Sequence, residues 1–152
     1  MAWDGTIRDG RAGEASDLEA LQLRASIVYD SDRDAVLAHP EVVALPAGVL
    51  EAGGVRVAED QAGVVGFSVV LDGEPGAWEL DGLFVEPGHW RQRIGAAMVA
   101  DVMDRAGRGG AARLDVVANP NALGFYSSVG FVGVGTVETQ FGPGVRMTRR
   151  LP

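Results

Sequence analysis

The hydrophobic period changes twice between Val55 and Ala118, and this switching between two kinds of element constrains the fold more than any other feature of the chain. Val55–Glu59 and Val64–Leu71 read as strands around the polar turn Asp60-Gln61-Ala62-Gly63, hence a hairpin, and Trp78–Val85 reads as a third strand. Ile94, Met98 and Val102 then recur at i+4, which predicts a helix from Arg91 to Ala106 ended by Gly107. Arg113–Ala118 returns to strand. Ahead of this block, Thr6-Ile7-Arg8 predicts a short strand, and Leu18, Leu21 and Leu23 a helix over Glu14–Ser26. Ser31-Asp32-Arg33-Asp34 is expected to cap a second helix reaching His39, before Pro40, Pro46 and Gly48 interrupt the pattern. Behind the block, Asn119-Pro120 is a helix start, with asparagine at the N-cap and proline at the first helical position. That helix carries Ala122, Leu123, Phe125, Tyr126 and Val129 and stops at Gly130, and Phe131–Thr139 and Val145–Arg150 close the chain as strands. Strands and helices mix without an internal repeat, so the expectation is one α+β (mixed α/β) domain over residues 1–152.

Composition removes whole classes of chemistry. There is no cysteine, which excludes disulfide scaffolds, thiolate metal sites and a cysteine nucleophile. There is no lysine either, so Schiff-base catalysis and a Gly-Lys-Ser/Thr phosphate loop are both absent. Net charge is −8, and the charge is uneven: residues 1–75 hold 14 acids and 5 arginines, residues 76–152 hold 7 acids and 8 arginines. Bulk nucleic-acid binding is therefore not expected, and an anionic ligand should favour the second half. No stretch approaches 18 consecutive apolar residues and Met1–Gly10 lacks an apolar core, so the chain reads as cytoplasmic, with no membrane partner.

The third strand contains a break. Trp78 and Leu80 alternate with Glu79 and Asp81, yet Leu83 and Val85 fall on the parity that the acids held. A bulge near Asp81-Gly82 would reset the phase; a glycine kink in a strand covered on both faces is the bland alternative. After the strand, Glu86-Pro87-Gly88 turns the chain toward arginines and small residues that open a helix. The free N–H groups of such a terminus attract phosphate, Gly95, Ala96 and Ala97 allow close approach, and Arg91 and Arg93 add charge. A plain basic surface has the same appearance.

These segments resemble a known family. Leu83-Phe84-Val85-Glu86-Pro87 followed by Arg91-Gln92-Arg93-Ile94-Gly95-Ala96 is similar to the acyl-CoA pyrophosphate loop of the GNAT superfamily of N-acetyltransferases. Asn119, Ala122, Phe125, Tyr126, Gly130 and Phe131 match its later signature, an asparagine seven residues before a tyrosine and then Gly-Phe. The resemblance covers nearly the whole chain, with Tyr29–Gly54 matching only loosely. It departs from the family pattern Gln/Arg-x-x-Gly-x-Gly/Ala at two places: Trp90 stands at the Gln/Arg position and Arg93 at the first glycine. If that glycine is needed at positive φ, Arg93 puts the loop in doubt.

The resemblance implies the GNAT acyl-CoA N-acyltransferase fold, a central mixed, mostly antiparallel sheet flanked by helices, with Trp78–Val85 and Arg113–Ala118 splayed. It implies acetyl-CoA as cosubstrate, no metal, and direct attack by a primary amine of a small molecule or peptide in a ternary complex. Leu83, Phe84, Val85, Arg91, Gln92, Arg93, Ile94, Gly95 and Ala96 would bind the cosubstrate, together with Asn119, Ala122, Phe125 and Tyr126. Glu79 is the first candidate for the general base, sixteen residues before Gly95, where some family members carry a catalytic glutamate; Asp81 is second and Asp115 third. Glu79 and Asp81 also read as a solvated strand face, and Asp115 is isolated in the apolar strand Leu114–Val117. Backbone N–H groups over Leu83–Val85 are candidates for the oxyanion site. Tyr126 is the candidate acid toward the leaving thiolate, with a core aromatic as its bland role, and Asn119 serves equally as a cap. His39 and His89 lack metal-ligand spacing and read as surface or turn residues, with a nucleotide contact open to His89. Trp3, Tyr29 and Trp78 are candidates for an acceptor pocket or for the core. Homodimers are frequent in the family. Two other readings stand beside the enzyme: a non-catalytic acyl-CoA-binding or sensing module, and a protein-interaction domain on the same scaffold.

Overall fold

Strand and helix alternate along the chain as the periodicity requires. The computed structural model describes residues 3–152. In chain order the elements are β1 (Thr6–Asp9), α1 (Ala15–Ser26), α2 (Asp30–Ala38), β2 (Val55–Asp60), β3 (Gly63–Asp72), β4 (Ala77–Val85), α3 (Ile94–Arg108), β5 (Arg113–Ala118), α4 (Leu123–Ser128), β6 (Val132–Thr139) and β7 (Gly142–Arg150), with short 3₁₀ turns at Pro40–Val43, Pro87–His89 and Pro120–Ala122. The strands form one seven-stranded sheet in the order β1-β2-β3-β4-β5-β7-β6. The β4/β5 pair is parallel; the β1/β2, β2/β3, β5/β7 and β6/β7 pairs are antiparallel. The architecture is thus mixed α+β with a mostly antiparallel sheet. Among the described residues no helix is long and apolar enough to cross a membrane.

The chain divides into two compact units. The first comprises the residues through Val69 with Gly82–Met98. In it Val55 lies opposite Val69 and Val57 opposite Phe67, and all four are at most 2% exposed. On the other face Ala58, Val65, Ile94 and Met98 form a buried cluster against which Trp3, Ile7, Leu83 and Val85 pack. The β2/β3 register slips after Ala58↔Gly66 to Glu59↔Val64, leaving Val65 as the extra residue of a β-bulge. Its carbonyl accepts from the Glu86 N–H at 2.8 Å. Gly66 is required by contact: a Cβ there would stand 2.9 Å from the Phe84 carbonyl oxygen and 3.0 Å from the Met98 sulfur. The first turn of α1 is tied to β1 by Glu14, whose carboxylate accepts from both Arg8 Nη atoms (3.0 and 2.9 Å) and from the Arg11 N–H at 2.6 Å. Helix α2 begins at Asp30 behind an extended Tyr29 and ends at Ala38, so Ser31–Asp34 lie within it rather than capping it. Asp30 and Asp32 in its first turn suit the positive end of the helix dipole.

The second unit comprises Val70–Asp81 and Val99–Pro152. Here β4 and β5 run side by side only from Ala77↔Arg113 to Leu80↔Val116; β4 extends beyond that ladder to Val85, and β5 continues against β7 through Ala118↔Val145. Leu80, Leu114, Val116, Ala118 and Met147 are buried on one face. Trp78 shares their parity and fills the space beside Gly109, where a Cβ would stand 2.7 Å from its ring. Just past the C-terminal end of α3, then, the even residue Trp78 makes the contact, whereas Leu83 and Val85 are the residues that meet Ile94 and Met98 near its start.

Both ends of α3 differ from expectation, each for a backbone reason. Helix α3 starts at Ile94 rather than Arg91 because Arg91 (φ 69°) and Arg93 (φ 67°) are left-handed and cannot belong to a right-handed helix. It runs through Gly107 to Arg108, and Gly110 (φ 85°) is the residue that stops it. Ala111 N–H then reaches the Ala106 oxygen (2.9 Å) and Gly110 N–H the Gly107 oxygen (3.1 Å), the paired bonds of a Schellman ending. At Asn119 the expected cap is present, with Oδ1 accepting from Asn121 N–H at 2.9 Å, but it opens the 3₁₀ turn Pro120–Ala122, and α4 follows from Leu123. Arg149 donates to the Val129 carbonyl at the end of α4, and a Cβ on Gly130 would stand 3.0 Å from its Nη1. A cation at a helix C-terminus is favourable, and the glycine makes room for it.

Candidate active site

In the first unit the segment from Val85 to Ala96 is built as a loop that exposes backbone donors. Its entry is braced three ways. The Trp90 indole Nε1 donates to the Val85 oxygen at 2.8 Å, and its ring stacks on Tyr29 with centroids 5.7 Å apart. Arg24 of α1 forms a two-pronged pair with Glu86, both bonds 2.8 Å. Beyond Trp90 the left-handed Arg91 and Arg93 curl the backbone, a conformation that turns successive N–H groups toward one concave side. The first bond of the α3 ladder runs from Ala97 N–H to the Arg93 oxygen, so the N–H groups of Ile94, Gly95 and Ala96 have no partner within the helix. Arg91, Gln92 and Arg93 are exposed, and Gly95 and Ala96 are only partly covered. Free donors, a helix N-terminus and two guanidinium groups make a surface suited to a phosphate or pyrophosphate. Glu86, the one acid of the loop, is neutralised by Arg24. Arg93 does adopt positive φ, at a cost of about 1–2 kcal/mol for a non-glycine residue.

Leu83, Phe84 and Val85 turn their side chains inward, Leu83 and Val85 onto the buried cluster and Phe84 onto Phe67 with ring centroids 5.3 Å apart. What they offer a ligand is backbone, and the Val85 oxygen is already taken by Trp90. Trp3 packs on the same cluster and donates to Asp60 Oδ2 at 3.0 Å, a structural role. His89 buries its Nδ1 without a hydrogen-bond partner among the described residues.

In the second unit the three candidate carboxylates gather on β4 and β5. Glu79 and Asp115 are direct neighbours in the parallel ladder, and Asp115 is opposite Thr148 on β7. Glu79, Asp115 and Thr148 lie on the face opposite the buried Leu80, Val116 and Met147, and all three are half-buried. Their surroundings differ. Asp115 is anchored: Arg113 Nε donates to it at 3.1 and 3.2 Å and Thr148 Oγ1 at 2.7 Å, while Arg113 also reaches Glu74 at 2.8 Å. Glu79 has no hydrogen bond or ion pair among the described residues, and its carboxyl is held above the usual range, first by burial and then by Asp115, Asp81 and Glu74, against the opposing pull of Arg146. Asp81 is exposed at the end of the ladder, yet partial desolvation raises it too. An unanchored carboxylate of raised pKa beside an anchored one is chemically suited to accept a proton.

Tyr126 is 7% exposed and meets Phe125 and Phe131 edge-on, with centroids 5.1 and 5.4 Å away. Burial pushes its hydroxyl well above the ordinary tyrosine range. Asn119, Ala122 and Phe125 belong to the same turn and helix start. Sequence reasoning missed Arg24, Thr148 and Arg146. Arg146 and Thr148 were legible in principle, since they alternate with the apolar Val145 and Met147; Arg24 lies 62 residues from Glu86 and carries no local signal.

Comparison with known proteins follows the same lines. The sequence profile of the Acetyltransferase (GNAT) family matches residues 24–131. No curated protein sequence matches this chain. Among solved structures, one described as a GCN5-related N-acetyltransferase, "Aminotransferase, Class-II", from Rhodopseudomonas palustris superposes with a TM-score of 0.77 at 22% identity, covering 99% of this chain and 98% of that one. The PaiA N-acetyltransferase from Thermoplasma acidophilum in complex with coenzyme A gives 0.75 at 13% identity over 97% and 99%. N-acetylglutamate synthase from Neisseria gonorrhoeae, complexed with coenzyme A and N-acetyl-glutamate, gives 0.74 at 18% identity over 100% of this chain and 36% of that chain. At these identities the structures speak for the fold, while the profile match over most of the sequence decides the family: this chain is a member of the GNAT acetyltransferase family.

Proposed function

We propose that the protein moves an acetyl group from acetyl-CoA to the primary amine of a small molecule or peptide, by direct attack in a ternary complex. The observation that carries the reading is the contrast between the two ladder neighbours: Asp115 is anchored by Arg113 and Thr148, and Glu79 is left unpaired with its carboxyl raised. Acetyl-CoA, when bound, supplies the thioester whose C–S bond breaks as the acceptor nitrogen takes the acetyl group. The N–H groups of Ile94, Gly95 and Ala96, with Arg91, Gln92 and Arg93, hold the pyrophosphate of that cosubstrate. Glu79 accepts the proton that the amine loses, directly or through one water; a carboxylate of raised pKa is the better base for this near neutral pH. As the family resemblance implies, Asn119, Ala122 and Phe125 are assigned to the pantetheine arm and the backbone N–H groups over Leu83–Val85 to the oxyanion.

Tyr126 donates a hydrogen bond to the departing sulfur. Burial raises its pKa and so keeps the phenol protonated, ready to donate as the acid toward the leaving thiolate.

The test is release of free CoA from acetyl-CoA across an amine panel. Glu79→Gln should lower kcat by about 10²–10⁴-fold, the range for loss of a general base, and initial rates should give intersecting double-reciprocal lines. Unchanged turnover in Glu79→Gln would remove the assigned base. Tight acetyl-CoA binding with no turnover on any amine would favour the acyl-CoA-binding module instead.

A further inference from the structure

On β7, Val145, Met147 and Arg149 share one face and Arg146, Thr148 and Arg150 the other. Thr148 stands opposite Asp115, and Arg146 opposite Val117, one step further toward the open end of the β4/β5 ladder. With strands about 4.8 Å apart and residues about 3.4 Å apart along each, the Arg146 backbone sits roughly 10 Å across and 7 Å along from that of Glu79, a gap that a guanidinium spans in large part. Most arginines of this unit have a partner: Arg113 holds Glu74 and Asp115, Arg108 holds Asp104, and Arg149 holds the Val129 carbonyl. Arg146 is exposed and has no hydrogen bond or ion pair among the described residues, and its positive charge acts on Glu79.

We propose that Arg146 receives a carboxylate of the acceptor, so that the amine acetylated here belongs to an amino acid or another molecule carrying both charges. This inference rests on the acetyltransferase reading above and names the substrate class of the same site. A lone ammonium would be repelled by Arg146; a zwitterion places its ammonium against Glu79 and its carboxylate in the planar fork of the guanidinium, which matches two carboxylate oxygens at once. Docking of that carboxylate also offsets the guanidinium's opposition to burial at Glu79, leaving the base stronger when substrate is present.

The experiment compares each α-amino acid, and the ω-amino acids of two to six carbons, with its own carboxamide as acceptor, using acetyl-CoA and the purified full chain. The expected result is a preference for the acid of tenfold or more in kcat/KM for at least one pair. Arg146→Gln should collapse that ratio toward one through a raised KM for the acid, Arg146→Lys should retain part of it, and Arg150→Gln, at the far end of the same face, should retain all of it. A ratio near one in the parent, or a ratio that survives Arg146→Gln, overturns the proposal while leaving acetyl transfer intact. Acetylation of neither the acids nor the amides nor any peptide amine overturns the acetyltransferase reading itself, and the proposal with it.

Discussion

The indole Nε1 of Trp90 donates to the backbone oxygen of Val85 at 2.8 Å, closing a ring of six residues from the last position of β4 into the loop. Trp90 stands where the family pattern has glutamine or arginine, and its ring is backed by Tyr29. A side chain that bridges strand end and loop fixes where the following N–H groups point, which is a condition for anion binding by backbone. Trp90→Phe keeps the stacking and loses the hydrogen bond, worth about 0.5–1.5 kcal/mol net. It should weaken acetyl-CoA binding several-fold in titration calorimetry, and Trp90→Ala should weaken it further, with kcat at saturating cosubstrate little changed.

Arg93 combines a strained backbone with a charge, and substitution separates the two. Arg93→Gly removes the left-handed penalty but frees the unfolded chain, so its unfolding free energy should lie within about 1 kcal/mol of the parent. Affinity for CoA should nevertheless fall, because the guanidinium is gone. Arg93→Val carries both losses: a β-branched residue resists φ 67°, and both stability in urea and CoA binding should drop.

The raised carboxyl of Glu79 has two consequences for pH. As a base it must be ionised, so kcat/KM should rise with pH through a value above 4.5, and Asp115→Asn should move that limb toward acid by removing a neighbouring negative charge. For stability the sign is opposite. A carboxyl whose folded pKa exceeds its unfolded one favours the fold when protonated, and that contribution is lost as pH rises from about 4.5 through the folded value. Glu79→Gln should therefore be more stable than the parent at neutral pH and lose less stability between pH 4 and 7, measured by urea unfolding at each pH.

Gly66 allows β3 to touch the end of β4. A methyl group there meets the Phe84 carbonyl oxygen at 2.9 Å, and backbone yields less readily than a side chain. Gly66→Ala should cost about 1–3 kcal/mol, as overpacking of a close-packed site does. Because Phe84 precedes Val85 and the Trp90 bridge, the same variant should also lose CoA affinity, and an unchanged affinity would separate the packing of β4 from the loop it feeds.

Much of this was legible along the chain. The order of elements follows from where the hydrophobic period is 2 and where it is 3.6, and Arg113–Ala118 falls on the predicted bounds. The Asn119 cap and the stop at Gly130 follow from residue chemistry that acts within one turn. The break in alternation at Asp81-Gly82 is visible in the sequence because alternation leaves a parity that can be checked residue by residue. The early start predicted for α3 was an error of the same local kind: arginine is a good helix former, and nothing in its identity announces φ 69° or 67°.

The sequence by itself determined the kinds of element, their order, the missing cysteine and lysine chemistries and the family, since these depend on residue type and on neighbours a few positions away. Tertiary structure decided that Arg24 neutralises Glu86, that Tyr29 backs Trp90, and that Glu79, Asp115 and Thr148 lie in one row with Asp115 anchored and Glu79 free. Those relationships depend on strand register and helix docking. Both are set by burial summed over the whole core, and a one-residue slip of β5 would turn Asp115 to the opposite face without changing a single local preference.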